Sequence, residues 1–184
     1  MLVLLVRHGH AGSKASWTGD DRERPLSARG AAGAQALVHI LAPYRPVRVL
    51  SSPLLRCRQT VEPVAAQLDL PVELADRLGP ESPKQAVSFI RDVAQEGPGP
   101  VVVCTHGEVI QVVQAGFPPR LVRGAKASTR AKGSTWVLEY AGRRLLSARY
   151  LPAPRFGAPL ASIAGAGTDA IAGANGQLTE RTPS

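Results

Sequence analysis

The residues of this chain whose types and placement could carry out a reaction are two imidazoles and two guanidinium groups. Arg7-His8-Gly9 directly follows the apolar run 2–6, Arg56 comes shortly after the run 47–50, and His106-Gly107 directly follows the run 101–105. Arginine presents a planar fork of donors matched to phosphate oxygens. An unperturbed imidazole titrates near 6.5 and is a neutral nucleophile around pH 7, aimed by a hydrogen bond to its other ring nitrogen. Together they imply a pocket for a tetrahedral dianion in which His8 attacks phosphorus in line. The phosphohistidine so formed splits one difficult hydrolysis into two easier steps, while Arg7, Arg56 and His106 stabilise charge on the equatorial oxygens. The scheme needs neither a metal nor a cofactor.

These side chains converge only if the right elements carry them. The runs 2–6, 47–50 and 101–105 are too short for helices and suit strands buried on both faces of a parallel sheet, whose ligands bind beyond the carboxyl ends of the strands. Ser27 follows Pro25 as the cap of a helix reaching about Leu41. Ser51-Ser52-Pro53 opens another that carries Arg56, Gln59 and Thr60 towards Leu68, with Pro63 expected to bend or restart it. Residues 72–74 fit a short strand, 83–95 a helix with Val87, Ile90 and Val93 on one face, and 134–151 a hairpin turning near Ala141-Gly142. The alternation predicts an α/β fold over residues 1–152, a three-layer sandwich with a mostly parallel central sheet flanked by helices. Residues 153–184 turn to Ala, Gly, Pro, Ser and Thr and are expected to form a disordered tail.

Composition bounds the alternatives. The chain of 184 residues is 44% hydrophobic and 20% charged, as for an ordinary globular domain, while 4% aromatic content shifts core packing onto Ala, Val and Leu. Arg7 interrupts the first apolar run before it reaches the roughly 7–15 residues of a signal-peptide core, so secretion is not expected. No stretch approaches the roughly 20 apolar residues of a membrane helix. Cys57 and Cys104 form no C-x-x-C pattern, and free thiols in the cytoplasm are the simpler expectation. The net charge of +8 suits an anionic substrate, and between residues 115 and 150 eight Lys and Arg face a single acid, Glu139. Only Trp136 and Tyr140 interleave there as aromatics with the basic residues near them, too few for a strand-stacking surface, so a solvated basic face is expected and a nucleic-acid partner is not.

The motifs Leu5-Val6-Arg7-His8-Gly9, Ser52-Pro53-Leu54-Leu55-Arg56-Cys57-Arg58-Gln59-Thr60 and Thr105-His106-Gly107, in this order and spacing, resemble the histidine phosphatase superfamily, also called phosphoglycerate-mutase-like. The resemblance covers about the first 150 residues. It implies that His8 is phosphorylated, that Arg7 and Arg56 bind phosphate, that His106 completes the pocket, and that Gly9 and Gly107 allow close backbone approach. Lys14, Gly19-Asp20-Asp21, Arg24-Pro25-Leu26 and Arg29-Gly30 look like the small phosphohistidine-phosphatase subgroup, which makes Lys14 a further candidate for substrate binding. They are also similar to the phosphatase half of bacterial two-domain proteins with a Nudix hydrolase, as is Lys132-Gly133-Ser134-Thr135-Trp136-Val137-Leu138. No Nudix half is present in these residues, so a Nudix partner would act in trans. Larger members carry a glutamate before the third helix as proton donor. Here the candidate is Glu81, with Asp20 or Asp21 as substitutes. A missing acid would suit a substrate with a good leaving group, such as a phosphohistidine protein or a nucleoside diphosphate, or would leave a phosphate-binding module with little turnover.

Blander roles compete at several positions. His10 could pair with His8 on a metal, but the chain is too short for the barrel that uses such a pair. A thiol phosphatase needs C-x5-R, and positions 63 and 110 are Pro63 and Ile110. His39 in a helix, Glu108 at a helix start, and Ser13, Ser16 and Trp17 in a loop need no functional explanation. Arg56 could simply pair with Glu62 on a helix surface, and Asp20 or Asp21 could cap a turn or pair with Arg24.

Overall fold

The computed structural model describes residues 1–97, 99–124, 126 and 129–154. Within them, one sheet contains β1 (Leu2–Arg7), β2 (Arg48–Ser51), β3 (Val72–Leu74), β4 (Val101–Thr105), β5 (Val122–Arg123), β6 (Thr135–Ala141) and β7 (Arg144–Leu151), in the order β3-β2-β4-β1-β6-β7-β5. β1, β2, β3 and β4 pair in parallel, as do β5 and β7, and β6 lies antiparallel between β1 and β7. The mostly parallel sheet agrees with the alternation in the sequence.

Strand periodicity assigns the two faces of the sheet. Leu4, Val6, Val49, Val102 and Cys104 pack with Leu37, Leu41, Val61 and Val64, which belong to α1 (Ala28–Leu41) and α2 (Leu55–Gln67). Val3, Leu5, Leu50, Val101 and Val103 pack with Ala86, Ile90, Val109 and Ile110, from α3 (Pro83–Val93) and α4 (Gly107–Ala115). Two helical layers enclose the sheet, which is why β1 and β4 are apolar at successive positions. No helix among the described residues is long and apolar enough to cross a membrane.

Ser27 caps α1 as its type suggests, accepting a hydrogen bond from the Gly30 N–H. α2 departs from expectation, because it continues through Pro63 to Gln67 without restarting. An interior proline costs about 3 kcal/mol. Fully buried Val61 and Val64 flank it, and each contributes on the order of 2 kcal/mol by burial, enough to hold the turn. Local sequence does not indicate the two-residue β5, which exists only by pairing with β7. Ala153 and Pro154 follow β7 half-buried; the rest of the expected tail lies outside the described residues.

Candidate active site

Parallel pairing brings three strand ends into one row. The His8 N–H donates to Thr105 O and the Ser52 N–H to Cys104 O, each at 3.0 Å, so the residues following β1, β4 and β2 are neighbours. The rings of His8 and His106 stand 5.3 Å apart between centroids, inclined at 59°. The Arg7 guanidinium lies against the start of α4, where a Cβ on Gly107 would stand 2.9 Å from its Nη2 and 3.0 Å from its Cζ. Only glycine admits that approach without displacing the cation. Arg56, in the first turn of α2, has a side chain 5% exposed. The charges of Arg56 and Arg7 act on both His8 and His106, which places all four groups within one electrostatic neighbourhood.

Nδ1 of His8 lies 2.8 Å from the Gly9 carbonyl. A carbonyl only accepts, so the proton resides on Nδ1 and the lone pair on Nε2. Burial, reinforced by the charges of Arg56, Arg7 and Lys132 and opposed by the Gly9 hydrogen bond, lowers His8 to about 3. Burial likewise lowers His106 to about 2, with His8, Arg56 and Arg7 adding to it and Asp21 opposing. Both rings are therefore neutral at pH 7. Nε2 of His106 shares a hydrogen bond with Ser52 Oγ at 2.9 Å and lies 3.4 Å from Cys57 Sγ.

This has a consequence for stability. The unfolded chain binds protons on these imidazoles near 6.5, whereas the folded chain refuses them until far lower pH. The unfolded state therefore holds more protons below 6.5, and stability falls as pH falls towards 3. In phosphate-free buffer the loss is expected to approach on the order of 1 kcal/mol per pH unit for each histidine. Urea midpoints between pH 7 and 4.5 measure it. A midpoint that stays level, or a slope unchanged in His106→Gln, contradicts the buried neutral pair.

The segment Arg56-x-x-Gln-Thr has a mechanical reason. Thr60 Oγ accepts the Gly9 N–H at 2.9 Å and donates to Arg56 O at 2.6 Å, tying the loop after β1 to the first turn of α2. Gln59 Oε1 accepts the Leu26 N–H at 2.8 Å. Thr60→Val keeps the shape and strands the buried Gly9 N–H, while Arg56 O keeps its helical partner, so thermal denaturation should report a loss of about 1–3 kcal/mol. A midpoint equal to that of the unmodified protein would show that the tie is dispensable.

Asp21 is the centre of a second tie. Its backbone O accepts from Arg56 Nη1 at 2.7 Å, and its carboxylate receives Arg56 Nη2 at 3.1 Å and Arg24 Nε at 2.8 Å. Desolvation pushes this carboxyl up, but the Arg24 hydrogen bond and the charges of Arg56, Arg24 and Lys14 outweigh it and hold the group below its ordinary value. Asp21 is thus held as an ionised strut between Arg24 and Arg56. Arg56 does not pair with Glu62, whose partner is Arg58 at 3.6 Å. Asp20 accepts the Arg22 N–H at a turn.

Three cations of the site are absent from the candidates drawn from the sequence. Arg24 is 7% exposed and donates Nη1 to Ala11 O at 2.6 Å. Lys132 is half-buried and titrates below its ordinary value through burial and the charges of Arg7, Arg24 and Arg56. Arg130 offers its carbonyl to Arg7 Nη1, and its charge acts on that guanidinium. The signal for Lys132 and Arg130 was the basic stretch itself, which is not one solvated face. Its end before β6 joins the histidines, while Arg120, Arg143 and Arg144 line a cavity elsewhere. Trp136 and Tyr140 are buried, at 0% and 5% exposure, and offer no surface for base stacking.

Other candidates lie apart. Glu81 is exposed on the loop before α3, although Thr105 Oγ anchors the preceding turn by donating to Leu78 O at 2.7 Å. Lys14 is exposed and reaches the site through its charge on Asp21. His10 faces the cap of α1, with Nδ1 2.8 Å from Ser27 Oγ.

A family model for the histidine phosphatase superfamily (branch 1) matches residues 3–79. An 8-oxo-(d)GTP phosphatase of Mycolicibacterium smegmatis is 37% identical over 156 residues, 83% of this chain and 48% of the relative. The chain therefore spans about half the length of that protein. The phosphohistidine phosphatase SixA of Escherichia coli is 31% identical over 138 residues, covering 70% of this chain and 84% of SixA. Among solved structures, the protein histidine phosphatase SixA complexed with tungstate superposes with a TM-score of 0.60 at 26% identity, covering 76% of this chain and 88% of the other.

Proposed function

Because this chain belongs to the histidine phosphatase superfamily, we propose that it is a phosphatase acting through a covalent phosphohistidine on His8. One observation carries this reading: the Nδ1–H of His8 is committed to the Gly9 carbonyl, leaving a neutral Nε2 lone pair among Arg7, Arg56 and His106. Nε2 attacks phosphorus as the bond to the leaving group breaks, and the Gly9 carbonyl stabilises the positive charge that develops on the ring. His106, tied through Nε2 to Ser52 Oγ at 2.9 Å, stands beside the phosphoryl oxygens with Arg7 and Arg56. Water then attacks the phosphohistidine, the P–N bond breaks, and the electron pair returns to Nε2 as phosphate departs.

The substrate class we infer is one whose leaving group needs little help from an acid, because Asp21 is ionised in its ion pairs and Glu81 is exposed. Phosphohistidine and nucleoside polyphosphates meet that condition, and the names of the mycobacterial and SixA relatives support the same two classes. The extra cations Lys132 and Arg24 suit the charge of a second phosphate. A Nudix hydrolase acting in trans belongs to this proposal through sequence resemblance alone. Two buried free thiols, Cys57 and Cys104, support a reducing bacterial cytoplasm as the place of action.

Acid-labile, base-stable label on residue 8 after a brief pulse of labelled substrate and denaturing quench at high pH is the decisive measurement. Rapid release of phosphate with no labelled protein at any time within a single turnover would refute the covalent route.

A further inference from the structure

A cavity of about 460 Å³ lies where the ends of α3 and α4 meet the turn of the β6–β7 hairpin. It is remote from the histidines. β6 runs antiparallel to β1, with Thr135 beside Val6 at the histidine end and Glu139 beside Leu2 at the other, and the Tyr140 N–H donates to Met1 O. The cavity is therefore separated from His8 by the length of β1, about 20 Å at 3.3 Å per residue.

Its floor is apolar and rigid. Ile90, Val113 and Phe117 are nearly inaccessible, and Leu145 packs against them. The Phe117 ring meets fully buried Trp136 at 5.2 Å, and Trp136 meets Tyr150 at the same separation, so the floor is backed by a row of aromatic rings in steeply inclined contact. Its rim is cationic. Arg91, Arg120, Arg143 and Arg144 line it, and of these only Arg143 has a carboxylate partner among the described residues, Asp92 at 2.6 Å. The C-terminal ends of α3 and α4 contribute about half a negative charge each, which three uncompensated arginines outweigh. Arg91, in the last turn of α3, has a structural role with that dipole, but Arg120 and Arg144 lie outside both helices.

We infer that this cavity is a second ligand site, separate from the histidine pocket, for an amphipathic organic anion. An aryl or short acyl body rests on the Phe117 and Leu145 floor, and a carboxylate, sulfonate or phosphate is held by Arg120 and Arg144. The volume is that of small-molecule pockets, and an apolar floor with a few convergent charged groups is how such pockets combine affinity with orientation. Arginine suits the rim because its fork holds an anion through paired hydrogen bonds.

The probe is 8-anilinonaphthalene-1-sulfonate, with N-phenyl-1-naphthylamine as the same ring system lacking the sulfonate. The native protein should bind one equivalent of the sulfonate, and Arg120→Glu and Arg144→Glu should each weaken it about ten-fold or more. The uncharged analogue should bind both variants as it binds the native protein, and turnover should be unchanged in both variants. Both arginines are exposed, so the substitutions leave the core intact. Binding that neither reversal weakens overturns the inference, as does a failure to bind at all. The readout is independent of turnover, so a failure of the phosphatase reading and a failure here are separately visible.

Discussion

His8→Ala is expected to lower kcat/KM by about 10⁴-fold or more and to remove every trace of labelled phosphoenzyme, while binding of inorganic phosphate weakens by far less. The asymmetry follows from the division of labour in the pocket. In the proposed mechanism Arg7, Arg56 and His106 supply charge and hydrogen bonds that an anion feels whether or not it reacts. The bond to phosphorus needs a lone pair, and in this site the tautomer set by Gly9 puts one on Nε2 of His8. Without it, water must attack directly, and the gain from a two-step path disappears. The variant should fold, since removing an imidazole buried among cations relieves desolvation and leaves a small void. Steady-state kinetics with a phosphomonoester and with a nucleoside diphosphate measure the loss. Turnover within ten-fold of the native rate would mean that another group attacks.

Arg56→Lys is expected to cost about 10²- to 10³-fold in kcat/KM even though the charge is kept, and Arg56→Ala rather more. A donor aimed at developing oxyanion charge contributes about 3–4 kcal/mol. Two of the five N–H donors of Arg56 are spent on Asp21. In the proposed mechanism the remainder of the fork holds the phosphoryl group. An ammonium has no fork and cannot hold the Asp21 backbone, its carboxylate and a phosphate oxygen together. Asp21→Asn tests the same strut from the other side: it removes the charge that balances Arg24 and Arg56, so it should raise the demand for an anion and alter KM more than kcat. A lysine variant with native rates would show that position 56 acts only as a diffuse charge. The strut at Asp21 would then be structural.

Local chemistry was enough to locate several of these features. The unbroken apolar runs of β1 and β4 marked buried parallel strands, Ser27 marked the start of α1, and the motif order indicated which residues follow each strand. Lys132 and Arg130 were not legible as parts of the site because they come from a loop whose approach depends on how β6 docks against β1, and Arg24 because its partners Ala11 and Asp21 are set by the path of the loop between β1 and α1. The function of Gln59 and Thr60 was hidden for a related reason, since their partners, Leu26 and Gly9, are 33 and 51 residues away along the chain. Pro63 misled because propensity is a local preference, and the helix that contains it is stabilised by burial against the sheet.

By itself the sequence determined which candidate groups stand just beyond the buried strands, because side-chain chemistry and hydrophobic periodicity are properties of neighbouring residues. Only the tertiary structure decided the tautomer of His8, the ionised state of Asp21 and the partition of the basic stretch between the histidine pocket and a remote cavity. Each depends on burial and on hydrogen bonds between segments far apart in the chain, and no local pattern encodes how those segments meet.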